Sequence, residues 1–181
     1  MAIDYGRLIV SQLEFYWDVH LRPRLDGLTD DEYFWEPVAN CWSVRRGKDG
    51  VFRQDGDGHG TGGPPKVAPV TTLAWRIVHV ATAMSSRTHT FFHKAGTGDM
   101  FDPSHFPAEL PGTAAAALGF LDLHYREWHE AIAEADLEQP LGPQGAFFAE
   151  EPMIALIVHI NREVMHHGGE IGVLRDLYRA Q

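Results

Sequence analysis

The sequence predicts an all-α protein, and three observations favour a four-helix bundle. Apolar residues recur at three- and four-residue spacing in four long segments. Threonine residues that can cap a helix stand at or near the start of two of them. Links of very different lengths separate the segments, and no segment is a convincing strand. Another all-α packing is the alternative, and there is no internal repeat.

The first long helix is predicted over residues 3–21 and ends at Pro23. A short helix follows in "LTDDEYFWEP", where Thr29 and Glu32 form a capping box. This helix should stop before Pro37, because the residue that precedes a proline disfavours helical geometry.

Residues 44–70 break the helical pattern, since they hold seven glycines and three prolines. They predict a long irregular loop between the first and second long helices, with room for a short hairpin. We expect one domain over residues 1–181, with 46–70 as a flexible glycine- and proline-rich insertion.

The remaining three long helices follow in turn. Thr71 or Thr72 caps the second, which should end near Gly96. Thr113 caps the third, and the fourth should run from about Ala149 to Arg179. Pro152 is acceptable there because the first turn of a helix has no use for its missing N–H group.

Composition excludes several classes of function. The net charge of −10 and the lack of a Lys/Arg cluster argue against a nucleic-acid partner. No apolar run reaches the roughly 18 residues that span a bilayer, so we expect no membrane segment. The single cysteine, Cys41, suits a reducing compartment, and the N-terminus lacks a signal-peptide pattern. A cytoplasmic protein is the expectation, and exposed apolar helix faces would suit a homodimer.

Histidine is over-represented, with 11 residues in 181. On a helical wheel of the fourth long helix, Glu163 and His167 fall inside the apolar stripe, one turn apart. A carboxylate that faces a core costs several kcal/mol unless it is compensated, and a divalent cation would compensate it. The adjacent Gly168 and Gly169 suggest that a helix or a ligand approaches closely here.

Two ligands are too few for a catalytic metal site, so a third should come from a facing helix. His79 is preferred because it lies in the middle of an apolar run; the other candidates are His89, His93, His124 and His129. His159, His166 and Glu170 are candidates for supporting the ligands from outside the set. Arg76, Arg162 and Arg175 should lie on helix surfaces, although Arg76 could reach an anionic substrate.

Known metal motifs do not settle the chemistry. HExxH is absent, and no second Glu-x-x-His accompanies Glu163-x-x-His166, which disfavours a di-iron centre. GxGxxG, Walker A, GxSxG and CxxC are absent as well. A purely structural role, in which the histidines satisfy core hydrogen bonds, therefore stays open at this point.

The segment "EVMHHGGEIGVLRDLY" closely resembles the last helix of the DinB/YfiT-like superfamily. "LRPRLDGLTDDEYFWEPVANCWSVR" and "TTLAWRIVHVATAM" resemble the first-helix end and second helix of its actinobacterial members, so that the resemblance covers roughly residues 5–178. It implies a DinB-like helical bundle with a divalent metal held by His79, Glu163 and His167. Where many members have histidine, this chain has Glu163, as in the mycothiol-dependent maleylpyruvate isomerase branch.

The resemblance implies a function that depends on the metal. Zinc is the first candidate, followed by nickel, iron and manganese. Some members are transferases that use mycothiol, bacillithiol or glutathione, which implies a thiol-dependent transferase or isomerase acting on a small electrophile. The alternatives are a non-catalytic metal- or ligand-binding bundle, such as a stress or sensor protein, and a structural or dimerising helical protein.

Overall fold

The computed structural model describes residues 3–56, 69–93 and 98–181, and it confirms the all-α fold class. Among these residues, none of the helices combines the length and apolar composition that crossing a bilayer requires. The described ranges contain five α-helices: α1 Tyr5–Phe15, α2 Asp30–Tyr33, α3 Leu73–Phe91, α4 Ala114–Ala133 and α5 Met153–Arg179. Single turns of 3₁₀ helix at Pro23–Leu25 and Pro103–His105, and a longer 3₁₀ stretch at Gly142–Phe148, lie in the connections.

The four long helices form the bundle. Helix α3 packs against α4 and α5, and α1 also packs against α4 and α5. Residues at helical spacing supply the shared core, including Leu13, Ile77, Leu121, Ile157 and Ile171. Each of these side chains is almost completely removed from water, which is the main favourable term in folding. The apolar face that the sequence periodicity predicts for each long helix is therefore the face that packs into the core.

Threonine side chains cap the helices as predicted. Thr29, Thr72 and Thr113 accept hydrogen bonds from the backbone N–H groups of Glu32, Trp75 and Ala116. Of the two threonines considered for α3, Thr72 is the cap. The start of the last helix was predicted near Ala149 and is wrong, because Pro152 has extended backbone angles and precedes the first helical residue.

The sequence showed no convincing strand but left room for a short hairpin in residues 44–70, and the structure has a two-stranded sheet there. Val44–Arg46 (β1) pairs antiparallel with Phe52–Gln54 (β2), so the connection before α3 begins with a short hairpin. Gly50 has φ +85° in its turn, a conformation that suits glycine. The rest of the predicted flexible insertion, residues 57–68, lies outside the described residues, and its flexibility stays a prediction, as does the single-domain organisation.

The hairpin is tied to the first turn of α3. Gln54 Nε2 donates to the Trp75 carbonyl at 3.2 Å, and Trp75 Nε1 donates to the Asp55 carbonyl at 2.9 Å. The first bond holds the backbone of α3, and the second holds the indole ring that lies one turn before His79. The hairpin therefore helps to position the helix that supplies a candidate ligand.

Gly168 permits a close helix approach, as the sequence suggested. The first helix continues past Phe15 as a π-helix, Tyr16–Leu21, which presses Tyr16 against α5. A Cβ atom at Gly168 would collide with the Tyr16 ring, and the Tyr16 hydroxyl donates to the Met165 carbonyl at 3.0 Å. Gly169 has no such neighbour within 4 Å. The close-approach explanation therefore holds for the first glycine of the pair and not for the second.

Candidate metal centre

Helices α3 and α5 bring His79, Glu163 and His167 together. Glu163 Oε2 lies 3.2 Å from His167 Nε2 and 4.0 Å from His79 Nε2. One ligand atom from each of the three residues can be chosen so that all lie within 4.8 Å of one another. The two imidazole rings meet edge to face, with centroids 4.8 Å apart. The i, i+4 pair predicted from the sequence and the preferred third residue thus converge on one point.

This spacing fits a small divalent cation. Nitrogen and oxygen ligands about 2.1 Å from a tetrahedral zinc ion are roughly 3.4 Å from one another. The observed separations of 3.2 and 4.0 Å lie on either side of this value, so a modest side-chain rotation would complete the set. A carboxylate oxygen and an imidazole lone pair repel each other at 3.2 Å unless a proton or a cation lies between them. The donor set therefore calls for positive charge at its centre.

Glu170 orients His167 from the opposite side. Its Oε2 atom lies 2.6 Å from His167 Nδ1, and Arg76 Nη1 lies 3.2 Å from the same nitrogen. The carboxylate contact is the shorter one and a carboxylate can only accept, so we assign the proton to Nδ1. The Nε2 lone pair is then directed toward Glu163 and His79. Metal-ligating histidines commonly have a carboxylate behind the ring in this way. Glu170, predicted as a supporting residue, occupies the position that this role requires.

Arg76 is not a surface residue, which corrects the expectation from sequence. Its side chain is only 14% exposed, and its Nε atom forms an ion pair with Glu170 Oε2 at 3.0 Å. The guanidinium group also lies over the Trp75 ring, 5.0 Å from the centroid. Arg76 therefore neutralises the carboxylate that orients His167. It also disfavours a cation at the neighbouring His166, His167 and Glu170 group.

His79 is held by Trp75, on which its ring stacks with a 4.8 Å centroid separation and a 15° angle between the planes. Burial is the main reason that the pKa of His79 is lowered from its ordinary value of 6.5. The ring is therefore neutral at pH 7. A neutral imidazole is the form that binds a metal.

Glu163 lies at the rim of the bundle and not inside the apolar stripe, since 25% of its side chain is exposed. The neighbouring imidazole of His167, and after it that of His79, holds the pKa of the Glu163 carboxyl well below its usual value. His159 Nδ1 and Arg162 Nη2 lie 3.8 and 3.7 Å from the other carboxylate oxygen. Glu163 is therefore ionised and reachable from solvent, as an exchangeable ligand site requires.

The other histidines occupy different surroundings. His124 pairs with Glu127 and His129 with Glu14, each at 2.8 Å. Within the described residues, neither these two nor His89 and His93 join a group of potential ligands. His166 is exposed and lies 3.6 Å from Glu170 Oε1. His159 is about half exposed and lies beside Glu163. His159 and His166 therefore lie next to the candidate ligands, and their supporting role stays a prediction.

Two arginines have environments that sequence reasoning missed. Arg175, expected on a helix surface, is 1% exposed and makes a two-pronged ion pair with Glu32. Arg87 borders a cavity beside His79 and was not singled out at all. Its position two turns after His79, on a similar side of α3, was the available signal.

Comparison with known proteins identifies the family. The family model of the DinB superfamily matches residues 12–171, which include His79, Glu163 and His167. No curated protein and no solved structure matches the chain. The match bears out the superfamily and does not test the actinobacterial or mycothiol-dependent branch. Because the matched region spans most of the sequence, this chain belongs to the DinB superfamily, whose members typically bind metal.

Proposed function

We propose that this protein binds one divalent ion, zinc first among the candidates, through His79, Glu163 and His167. The observation that carries the proposal is the convergence of three donor atoms within 4.8 Å from two helices. Nickel, iron or manganese would also suit two imidazoles and one carboxylate. Glu170 and Arg76 keep the His167 ring in the ligating orientation.

We further propose that the centre serves a thiol-dependent transferase or isomerase that acts on a small electrophile. Three protein ligands leave one position of a four-coordinate ion open. A divalent ion with one carboxylate has net charge +1, which favours an incoming anion such as a thiolate. When bound, the ion would supply Lewis acidity and hold a thiol as thiolate. Glu163 at the rim gives a small thiol access to this position.

Metal content is the first test. Elemental mass spectrometry of the purified untagged protein should find about one ion per chain, and E163A, H167A and H79A should each lose it. H166A is the matched control, because His166 adjoins His167 on the same helix but is directed to solvent. The proposal is contradicted if H166A is the variant that loses the ion while the other three keep it. It is also contradicted if the wild type holds no metal after soaking with zinc, nickel, manganese and iron.

A turnover screen tests the finer proposal. Mycothiol, bacillithiol and glutathione would each be combined with a chromogenic electrophile and the metal-loaded protein. Turnover that H79A abolishes and H166A retains supports a thiol-dependent enzyme. Stoichiometric metal without turnover on any thiol would favour the non-catalytic metal-binding bundle.

A further inference from the structure

A cavity of about 210 Å³ lies directly beside the proposed metal centre, between α3, α5 and the segment around Phe101. Its lining includes the candidate ligands His79 and Glu163, together with His159. Arg87, Thr82 and Ser86 contribute polar groups from α3. A molecule in this cavity would therefore lie beside both the ligand residues and a cationic side chain.

Arg87 has no acidic partner among the residues that the structure describes. Its Nη1 atom donates to the Met100 carbonyl at 2.8 Å and to Ser86 Oγ at 3.2 Å, both neutral groups. Burial, with no carboxylate to oppose it, lowers the pKa of Arg87 to about 10. Arg87 is partly buried, and a cation removed from much of the solvent without a counter-ion is costly, so its position beside a cavity favours an anion as its partner.

Two further polar atoms at this cavity lack a partner. Arg87 Nε and Thr82 Oγ1 are buried and form no hydrogen bond within the described part of the chain. Thr82 itself is only 4% exposed. Buried polar groups are nearly always hydrogen-bonded, so two unsatisfied ones on the same wall indicate a bound group that pairs with both. A carboxylate has two oxygens and can accept from both.

The rest of the lining limits the shape of the ligand. Phe101, Phe106 and Ile160 provide an apolar wall, and the Arg87 guanidinium lies 5.8 Å from the Phe101 ring centroid. The volume is below the range of about 300–1,000 Å³ that is typical of drug-sized ligands. These dimensions suit a small, flat or branched apolar body that carries one anionic group.

We infer that this cavity binds the carboxylate of a small, partly apolar substrate through Arg87 and Thr82. The inference rests on the proposed function in one respect: the other end of the substrate would then face the metal centre. An Arg–carboxylate pair in a partly enclosed cavity gives both affinity and a fixed orientation. Arg76 does not compete for this role, because Glu170 already neutralises it.

Benzoate is the probe for this site, and benzamide is its neutral isostere. Calorimetric titration should show benzoate binding at least tenfold tighter than benzamide, since hydrogen bonds to charged groups are the stronger class. R87Q should weaken benzoate binding by about tenfold or more. T82V, which removes only the hydroxyl group, should weaken it roughly threefold to tenfold. Equal binding of benzoate and benzamide, or no detectable benzoate binding, overturns the inference.

R162Q is the matched control, because Arg162 is also a cation near Glu163 but is largely exposed. It should leave benzoate affinity within about twofold of the wild type, since exposed charges are screened by solvent. The melting temperature of R87Q should equal or exceed that of the wild type, because the variant removes an uncompensated buried charge. If R87Q fails to fold, T82V and the benzoate–benzamide ratio of the wild type decide the question.

Titrating zinc-loaded and chelator-treated protein in parallel separates this inference from the metal proposal. An Arg87 effect that persists without metal supports the anion site even if the metal proposal fails. A benzoate affinity that depends on metal and is unchanged in R87Q places the anion on the metal and overturns the role of Arg87. Metal content that is normal in R87Q shows that the loss of benzoate binding does not arise from a lost ion.

Discussion

Two clusters of charged residues on α5 differ in how far their charges are paired within the protein. Near the C-terminal end, Arg175 and Glu32 form a closed pair, with side chains 1% and 4% exposed. Arg175 also donates to the Arg24 and Asp26 carbonyls, so most of its donors are used. Upstream, Glu163 is 25% exposed and faces two imidazole nitrogens across gaps of 3.2 and 4.0 Å. In the first cluster the charges of Arg175 and Glu32 balance each other without a ligand. In the second, the carboxylate and the two imidazoles meet with no cationic side chain of the described residues between them.

This difference separates stability from function. A buried, fully paired arginine holds the end of α5 to α2 and to the chain after α1, and it offers nothing to a ligand. The Glu163 cluster at the rim has polar groups without full hydrogen bonding, so it contributes little to folding stability and is free to bind a ligand. Substitutions in the first region should therefore lower the melting temperature and leave metal affinity unchanged. Substitutions in the second should lower metal affinity and leave the melting temperature of the metal-free protein nearly unchanged.

The largest effect should come from breaking the closed pair. E32Q leaves the Arg175 charge buried without a counter-ion and should lower the free energy of unfolding by about 3–5 kcal/mol. Urea or thermal denaturation measures this loss, and metal stoichiometry should be unchanged. D176N is the control, because Asp176 pairs with Arg24 at the exposed surface, where an ion pair contributes about 0–1 kcal/mol. Equal losses in the two variants would contradict the comparison.

If the proposed site binds zinc, the ion should stabilise the protein. Free zinc at 100 times its dissociation constant should raise the free energy of unfolding by about 2.7 kcal/mol, and a chelator should reverse the gain. Thermal melts with and without zinc measure the shift. E163Q should remove the zinc-dependent shift while leaving the melt of the metal-free protein almost unchanged. A shift that survives in E163Q would place the ion elsewhere.

The carboxylate behind His167 should matter less than the ligands. E170Q should weaken zinc binding by roughly 10–100-fold, because it releases the ring orientation and leaves Arg76 unpaired. Competition with a chromophoric chelator measures the affinity. E127Q makes the same change in a matched pair, Glu127 with His124, and should leave zinc affinity unaltered. Indistinguishable affinities for the two variants would remove Glu170 from the site.

Acid should release the metal in a defined window. The pKa of Glu163 is held below its usual value, so this ligand stays ionised through mildly acid pH. Burial lowers the pKa of His79 from 6.5, so this ligand is neutral at pH 7 and protonates only at lower pH. Zinc affinity should be nearly flat from pH 8 to 7 and should fall below about pH 6, by up to tenfold per unit for each proton taken up. A decline that begins near pH 8 would contradict this assignment.

The sequence alone determined features whose causes are local. The apolar spacing predicted the four long helices, and the threonines predicted the caps, because both depend on residues within one or two turns. Glu163 and His167 were found in the same way, since residues four apart on a helix always face the same side. Only the superfamily match tests the wider family assignment, and the homodimer and the cytoplasmic location stay predictions.

Only the tertiary structure decided which distant residues meet. Five histidines were candidates for the third ligand, and the packing of α3 against α5 brings His79 to Glu163 and His167. The tertiary fold also paired Arg175 of α5 with Glu32 of α2, and the packing of the Phe101 segment against α3 and α5 placed Arg87 and Thr82 around one cavity. Helical periodicity fixes the direction of a side chain about its own axis, but it does not fix the rotation, register and tilt between helices. Those quantities depend on how the helix surfaces pack together. The spacing on one helix was therefore enough to predict the pair, whereas His79 was chosen among five histidines only by preference and by the family resemblance.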